Sequence, residues 1–163
     1  MKSIILFRHG KSDWDTNYGS DHDRPLEKKG ITSAKKMGNY LLSINQIPNK
    51  IISSTALRAK KTAEIAVKYG KWNINISLNN NIYLCSTETL LSIVHQLDPK
   101  LDMVCLVGHE PTFSSFISES TNSIWCKFPT ASMARIDFDI KRWKDVSFGL
   151  GKLAWLIKPK ELD

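Results

Sequence analysis

Apolar residues enter this chain in two rhythms, and the change between them outlines a fold. Ser3 to Phe7 is an unbroken, β-branched-rich run that stops at Arg8-His9-Gly10, the pattern of a buried strand ending in a turn. Lys11 to Pro25 is polar and rich in Asp, Asn and Gly, so it reads as a loop. Ile31, Ala34, Met37, Leu41 and Leu42 then recur at helical spacing and predict a helix over Lys28 to Ser43. Lys50 to Ser53 is a second short strand. Leu57, Ala59, Ala63, Ile65 and Ala66 place a helix between Ala56 and Tyr69, closed by Gly70. Asn73 to Leu78 alternates like a strand, and Glu88 to Leu97 reads as a helix with Thr87 as its N-cap and Pro99 beyond its end. Met103 to Val107 is another solid apolar run, again ending in Gly-His.

Strands that are apolar on both faces and alternate with helices belong in a parallel sheet covered on both sides. The last third changes rhythm. Ala131 to Phe138 and Lys152 to Ile157 alternate apolar with polar residues, as paired strands at a sheet edge do. The expected fold is therefore α/β, a three-layer α/β/α sandwich with a mostly parallel central sheet and an antiparallel edge, formed by residues 1–163 as a single domain. A chain of 163 residues can bury such a core without disulfides or metals.

Composition narrows the function classes. The apolar stretch at the amino terminus is too short for a membrane span and lacks a small-residue cleavage site, so a cytoplasmic protein with no membrane partner is expected. Cys85, Cys105 and Cys126 form no C-x-x-C pair, which suggests reduced, partly buried thiols and not a zinc clip. The net charge of +7 favours anionic partners. The basic residues are scattered and not interleaved with aromatics, so nucleic acid is not the expected anion.

In open α/β sheets, ligands bind beyond the carboxyl ends of the strands, and His9 and His109 both fall there. One histidine at a strand end is ordinarily a hydrogen-bonded structural residue. Two in equivalent places, with Arg8 beside one and Arg58 in the first turn of the helix after the second strand, form a combination far rarer than any one of its parts. His22, in an aspartate-rich loop, and His95, late in a helix, lack such neighbours and read as surface residues. Trp14, Trp72, Trp125, Trp143 and Trp155 read as packing residues, Trp14 alone being able to line a pocket mouth.

The segments LFRHGKSDW, DRPLEKKG, SSTALRAKKTAE, LVGHEP and FPTASMARIDF resemble the histidine phosphatase superfamily, also called phosphoglycerate mutase-like. Their order and spacing, from Ile5 to about Phe138, are similar to the short SixA-like branch of protein-phosphohistidine phosphatases. The resemblance implies a nucleophile at His9, phosphate-binding arginines at Arg8 and Arg58, and a second histidine at His109. Ser12 and Asp23-Arg24 also match the pattern, with no chemical step assigned to them. It further implies hydrolysis through a phosphohistidine intermediate, with no cofactor and no metal. The substrate is then a phosphorylated protein carrying phosphohistidine, or alternatively a small phosphate ester or sugar phosphate. A phospho-ligand binding module without activity is the third reading.

One position departs from the family. Relatives usually carry a carboxylate after the third strand that protonates the leaving group, and here the stretch NNNIYLCSTE puts Leu84 in that place. Glu88 and Glu110 are the nearest substitutes by sequence. Glu88 is expected to face solvent from a helix, and Glu110 to open the helix at Pro111.

Overall fold

The computed structural model describes residues 1–163 and holds one six-stranded sheet. The strands are β1 (Lys2–Arg8), β2 (Lys50–Ser53), β3 (Ile76–Leu78), β4 (Met103–Gly108), β5 (Met133–Phe138) and β6 (Gly151–Ile157). Helices α1 (Lys28–Ser43), α2 (Leu57–Tyr69), α3 (Thr87–His95) and α4 (Thr112–Thr121) connect them. Across the sheet the order is β3-β2-β4-β1-β5-β6. The first four strands in that order are parallel, β5 runs antiparallel to β1, and β6 antiparallel to β5. This is the mostly parallel sheet with an antiparallel edge that the two rhythms predict.

The period of a strand explains why the apolar runs are unbroken. Successive side chains point to opposite faces, so a strand covered on both sides must be apolar at every position. In β1, Ile4 and Leu6 enter one core with Leu90 and Val94 of α3 and Phe113 and Phe116 of α4. Ile5 and Phe7 enter the other with Met37 and Leu41 of α1 and Ala59, Ala63 and Ala66 of α2. β4 divides in the same way, with Val104 and Leu106 on one face and Cys105 and Val107 on the other. These are the three layers.

The parallel register brings the carboxyl ends of β1 and β4 level, with Arg8 opposite Gly108. His9 and His109 therefore leave the sheet side by side. The turn after His9 is seated on the start of α1, because a Cβ on Gly10 would lie 2.7 Å from the Gly30 carbonyl oxygen and one on Gly30 2.2 Å from that of Lys11. Neither position has room for a side chain.

Several boundaries differ from the sequence reading. The strand expected over Asn73 to Leu78 is only Ile76–Leu78, since β2 pairs with it only from Ile51 to Ser53 and Trp72 turns inward to donate from Nε1 to the Gly38 carbonyl. The cap of α3 is Ser86 and not Thr87: the Ser86 hydroxyl accepts from the Thr89 amide at 3.1 Å, while Thr87 is the first helical residue. That helix ends at His95, whose Nε2 meets the Val146 carbonyl at 2.7 Å. Trp72 and Trp143 are buried and Trp155 is half-buried, whereas Trp14 and Trp125 are exposed. Cys105 is buried, Cys85 half-buried and Cys126 exposed, and all are free thiols. No helix is long and apolar enough to cross a membrane.

Candidate active site

Arg8, His9, Arg58 and His109 line one open cleft of about 400 Å³, together with Lys11, Ser12, Trp14, Arg24, Leu84, Glu110 and Thr130. The sequence-predicted residues are thus brought together from β1, the first turn of α2 and the end of β4. A second cleft of similar size, about 380 Å³, lies beside α3 and contains no histidine or arginine. Only the first has the groups for phosphoryl chemistry.

The buried His9 ring is oriented by its own turn. Nδ1 lies 2.7 Å from the carbonyl oxygen of Gly10, which can only accept, so Nδ1 carries the proton and Nε2 keeps its lone pair. Burial, with lesser repulsion from His109, Arg58 and Arg8, lowers the His9 pKa to about 3 against the pull of the Gly10 carbonyl. The ring is neutral at physiological pH. The Gly10 amide donates to the Thr62 hydroxyl at 2.9 Å, and that hydroxyl donates to the Arg58 carbonyl at 2.7 Å. Thr62 therefore ties the turn that follows His9 to the helix that bears Arg58.

His109 stands 5.2 Å from His9, centroid to centroid. Its Nε2 is 2.8 Å from the Ser54 hydroxyl, whose oxygen accepts from the Ala56 amide and whose proton is free to be donated to the ring. Burial, then the nearby Arg58, lowers its pKa to about 4, partly offset by Asp21. A neutral imidazole whose Nε2 accepts from Ser54 carries its proton on the other nitrogen and can donate a hydrogen bond.

The guanidinium groups are anchored but not saturated. Arg8 donates from Nη1 to the Phe128 carbonyl at 2.9 Å. Arg58 donates to the backbone oxygen of Asp21 at 2.7 Å and to its carboxylate at 3.0 Å. Arg24 reaches the same carboxylate at 3.2 Å and donates to Ser12 as well. Each group keeps most of its five N–H donors, and the Nε atoms of Arg8, Arg24 and Arg58 make no hydrogen bond within the protein. A cleft lined by these three arginines and Lys11, with Glu110 as its one carboxylate, favours a multiply charged oxyanion.

Some parts of the site were invisible to the sequence reading. Asp21 is the chief one. Its carboxylate accepts from Tyr83, Arg24 and Arg58, and these bonds, the Tyr83 hydroxyl foremost, lower its pKa to about 2. Arg24, matched to a motif without a role, is buried in the cleft and stacks at 3.5 Å over Trp14. His22, expected to be a surface residue, is half-buried, hydrogen-bonded to Thr55 at 2.9 Å and edge-on to Tyr83. Only the spacing of Asp21 and Arg24, three residues apart, hints at this cluster, and a loop of aspartates masks such a signal.

The two substitute carboxylates separate clearly. Glu88 is exposed on α3 and outside the cleft, while Glu110 lines the cleft and accepts from the Ser114 amide at 2.7 Å, capping α4. Leu84 sits at the mouth, 77% exposed, with φ of 55°.

Comparison with known proteins agrees with this arrangement. The family model described as histidine phosphatase superfamily, branch 1, matches residues 4–80, which include Arg8, His9, Arg24 and Arg58. An uncharacterized chloroplastic protein of Arabidopsis thaliana is 43% identical over 166 residues, covering 96% of this chain and 76% of that one. The chain belongs to the histidine phosphatase superfamily. The SixA protein of Agrobacterium tumefaciens has the same fold at a TM-score of 0.82 and 25% identity, over 97% of this chain and 98% of its own. A protein histidine phosphatase SixA complexed with tungstate superposes at a TM-score of 0.85 over 99% of both chains, at 21% identity. This histidine phosphatase is thus a SixA-like member of the superfamily, and phosphatase chemistry is the activity that membership carries.

The buried neutral histidines also shape stability. A group whose pKa is lower folded than unfolded takes up its proton first in the unfolded chain, so stability is full above about pH 6.5 and falls as the pH drops. For His9 the loss continues to about pH 3 and for His109 to about pH 4. Urea unfolding of this histidine phosphatase at pH 5 should show a loss relative to pH 7 of on the order of 2 kcal/mol per histidine. His9→Ala should lose less between the same pH values. An equal loss would place the acid sensitivity elsewhere.

Proposed function

We propose that this histidine phosphatase hydrolyses phosphohistidine on a protein through a covalent intermediate on His9, without a metal ion. The observation that supports the covalent step is the neutral His9 ring, with its proton on Nδ1 and its Nε2 lone pair free, in a cleft walled by arginines. Nε2 attacks phosphorus, a new N–P bond forms, and the bond from phosphorus to the substrate nitrogen breaks with its electron pair. Charge spreads over the three equatorial oxygens in the transition state, where Arg8, Arg58 and Arg24 supply cations and His109 a donor. Water then attacks the phosphoryl group on His9, the N–P bond breaks, and inorganic phosphate leaves as the water proton passes to the imidazole or to solvent. Four cationic side chains supply the electrostatic role that a metal ion fills elsewhere.

Leaving-group chemistry supports phosphohistidine over an ester. An alkyl phosphate expels an alkoxide about as basic as hydroxide, whose conjugate acid has a pKa of about 15.7, and needs a positioned proton donor. A ring-protonated phosphohistidine expels neutral imidazole, whose conjugate acid has a pKa of about 6.5. Leu84 offers no proton, and Glu110 is held by the Ser114 amide. Measured in EDTA, wild type should show kcat/KM for phosphohistidine and aryl phosphate at least ~100-fold above that for phosphoserine. Leu84→Glu should raise phosphoserine turnover more than phosphohistidine turnover. If wild type cleaves phosphoserine equally well and Glu110→Gln removes that ability, Glu110 is the acid and the substrate is an ester. Loss of activity in EDTA would overturn metal independence.

A further inference from the structure

The mouth of the cleft carries features that the chemistry does not use. Trp14 and Leu84, 67% and 77% exposed, stand on its rim. Leu84 is held in the left-handed region at φ 55°, an unfavourable conformation for a leucine, with most of its side chain exposed. Trp125, 56% exposed, is held by a 2.7 Å hydrogen bond from its indole to Ser114, the residue whose amide holds Glu110. These residues come from three different loops. Exposed, rigid aromatic and aliphatic side chains around a polar opening mark contact with another protein.

Beside this rim lies a third, smaller cleft of about 240 Å³, lined by Lys29, Lys127, Lys158 and Lys160 and by no carboxylate. It shares Thr130 with the active-site cleft. The two are neighbours because β6 runs toward the same end of the sheet as β1: Ile157 pairs with Met133, which pairs with Phe7. The lysines converge there from the start of α1, the loop before β5 and the segment after β6. Glu161 follows in sequence but does not line the cleft.

We infer that Trp14, Leu84 and the four-lysine cleft form one docking surface for an acidic phosphoprotein, whose carboxylates meet the lysines while an apolar face covers the rim. The inference rests on the phosphohistidine reading above and adds to it how the carrier is recognised. Charge complementarity selects a protein with an acidic surface around the phosphorylated side chain. It also gives Leu84 a purpose: where the leaving group needs no acid, the position at the mouth is open to an anchor.

The test uses the full chain, a histidine-phosphorylated acidic carrier protein and para-nitrophenyl phosphate. The double variant Lys158→Glu with Lys160→Glu should lower kcat/KM for the phosphoprotein at least tenfold and flatten its salt dependence, leaving para-nitrophenyl phosphate unchanged, because neither lysine lines the reacting cleft. Leu84→Asn, which suits a left-handed residue, should reduce the phosphoprotein rate at least tenfold more than the aryl phosphate rate. Leu150→Asn, an exposed leucine at the opposite end of the sheet, should alter neither. If wild type turns over the phosphoprotein and these variants do so equally well, the docking surface is refuted while the substrate reading stands. If wild type cleaves aryl phosphate but not the phosphoprotein, the substrate reading fails and the docking surface with it. Loss of RNA binding by the lysine variant, with phosphoprotein turnover intact, would assign the lysines to nucleic acid and overturn the inference.

Discussion

Replacing His9 by alanine should reduce phosphatase turnover to background, a loss of at least ~10,000-fold if the nucleophile is the group removed. The reason is geometric as well as chemical. His9 is the one ring in the cleft whose Nδ1 faces an obligate acceptor, so its other nitrogen is fixed as a lone pair at every pH above about 3. His109 is also buried and neutral but spends Nε2 on the Ser54 hydroxyl, and it cannot take over the attack without breaking that bond. Para-nitrophenyl phosphate hydrolysis by His9→Ala and His109→Ala should therefore differ: the first abolished, the second slowed. Binding should respond otherwise. Since the arginines remain, His9→Ala should still bind phosphate or vanadate, though the gain in vanadate affinity from a covalent five-coordinate adduct would be lost. A His9→Ala protein that turns over at the wild-type rate would leave only a phospho-ligand binding module with another source of hydrolysis.

Arg58→Ala should cost two to three orders of magnitude in kcat, the scale of removing one preorganised charge-stabilising donor. Arg58 is buried at the start of α2 and is held from two sides, by its bonds to Asp21 and by the Thr62 link to the turn of His9. Removing it takes a cation from the cleft and also deprives the Asp21 carboxylate of one of its partners. The two contributions are separable. Arg58→Lys keeps the charge but not the planar fork and should recover only part of the rate. Asp21→Asn keeps Arg58 but loosens it, so it should raise KM more than it lowers kcat. An Arg58→Ala enzyme within tenfold of wild type would mean that Arg8 and Arg24 hold the transition state between them.

How much of this was legible in the sequence follows from which interactions are local. The double-sided apolar runs of β1 and β4 state the parallel sheet directly, because only a strand covered on both faces needs apolar residues at every position. The same runs end in Arg8-His9 and Gly108-His109, so two of the site's side chains are announced by the strands that carry them. Arg58 is legible as a first-turn residue after β2 for the same reason. Asp21, Arg24 and Tyr83 are not, since they meet only when a long polar loop folds back over α2, and no period in the sequence records that return. The short β3 is similar: its length is set by the few residues that β2 offers as partners, a tertiary fact. The shift of the α3 cap from Thr87 to Ser86 reflects two adjacent hydroxyl residues that compete for one role, which geometry alone decides. Trp14 is the one tryptophan that lines the cleft, while Trp125, expected to pack, is exposed and donates from its indole nitrogen to Ser114 of α4.

On the proposed mechanism, phosphate passes through His9. The direct measurement is to react the enzyme with a labelled phosphoryl donor, quench in base to preserve an acid-labile phosphoramidate, digest, and locate the label by mass spectrometry. The label is expected on the His9 peptide, absent from His9→Ala and appearing faster than phosphate is released. Label on His109, on a serine or threonine, or on no residue while turnover proceeds would contradict it.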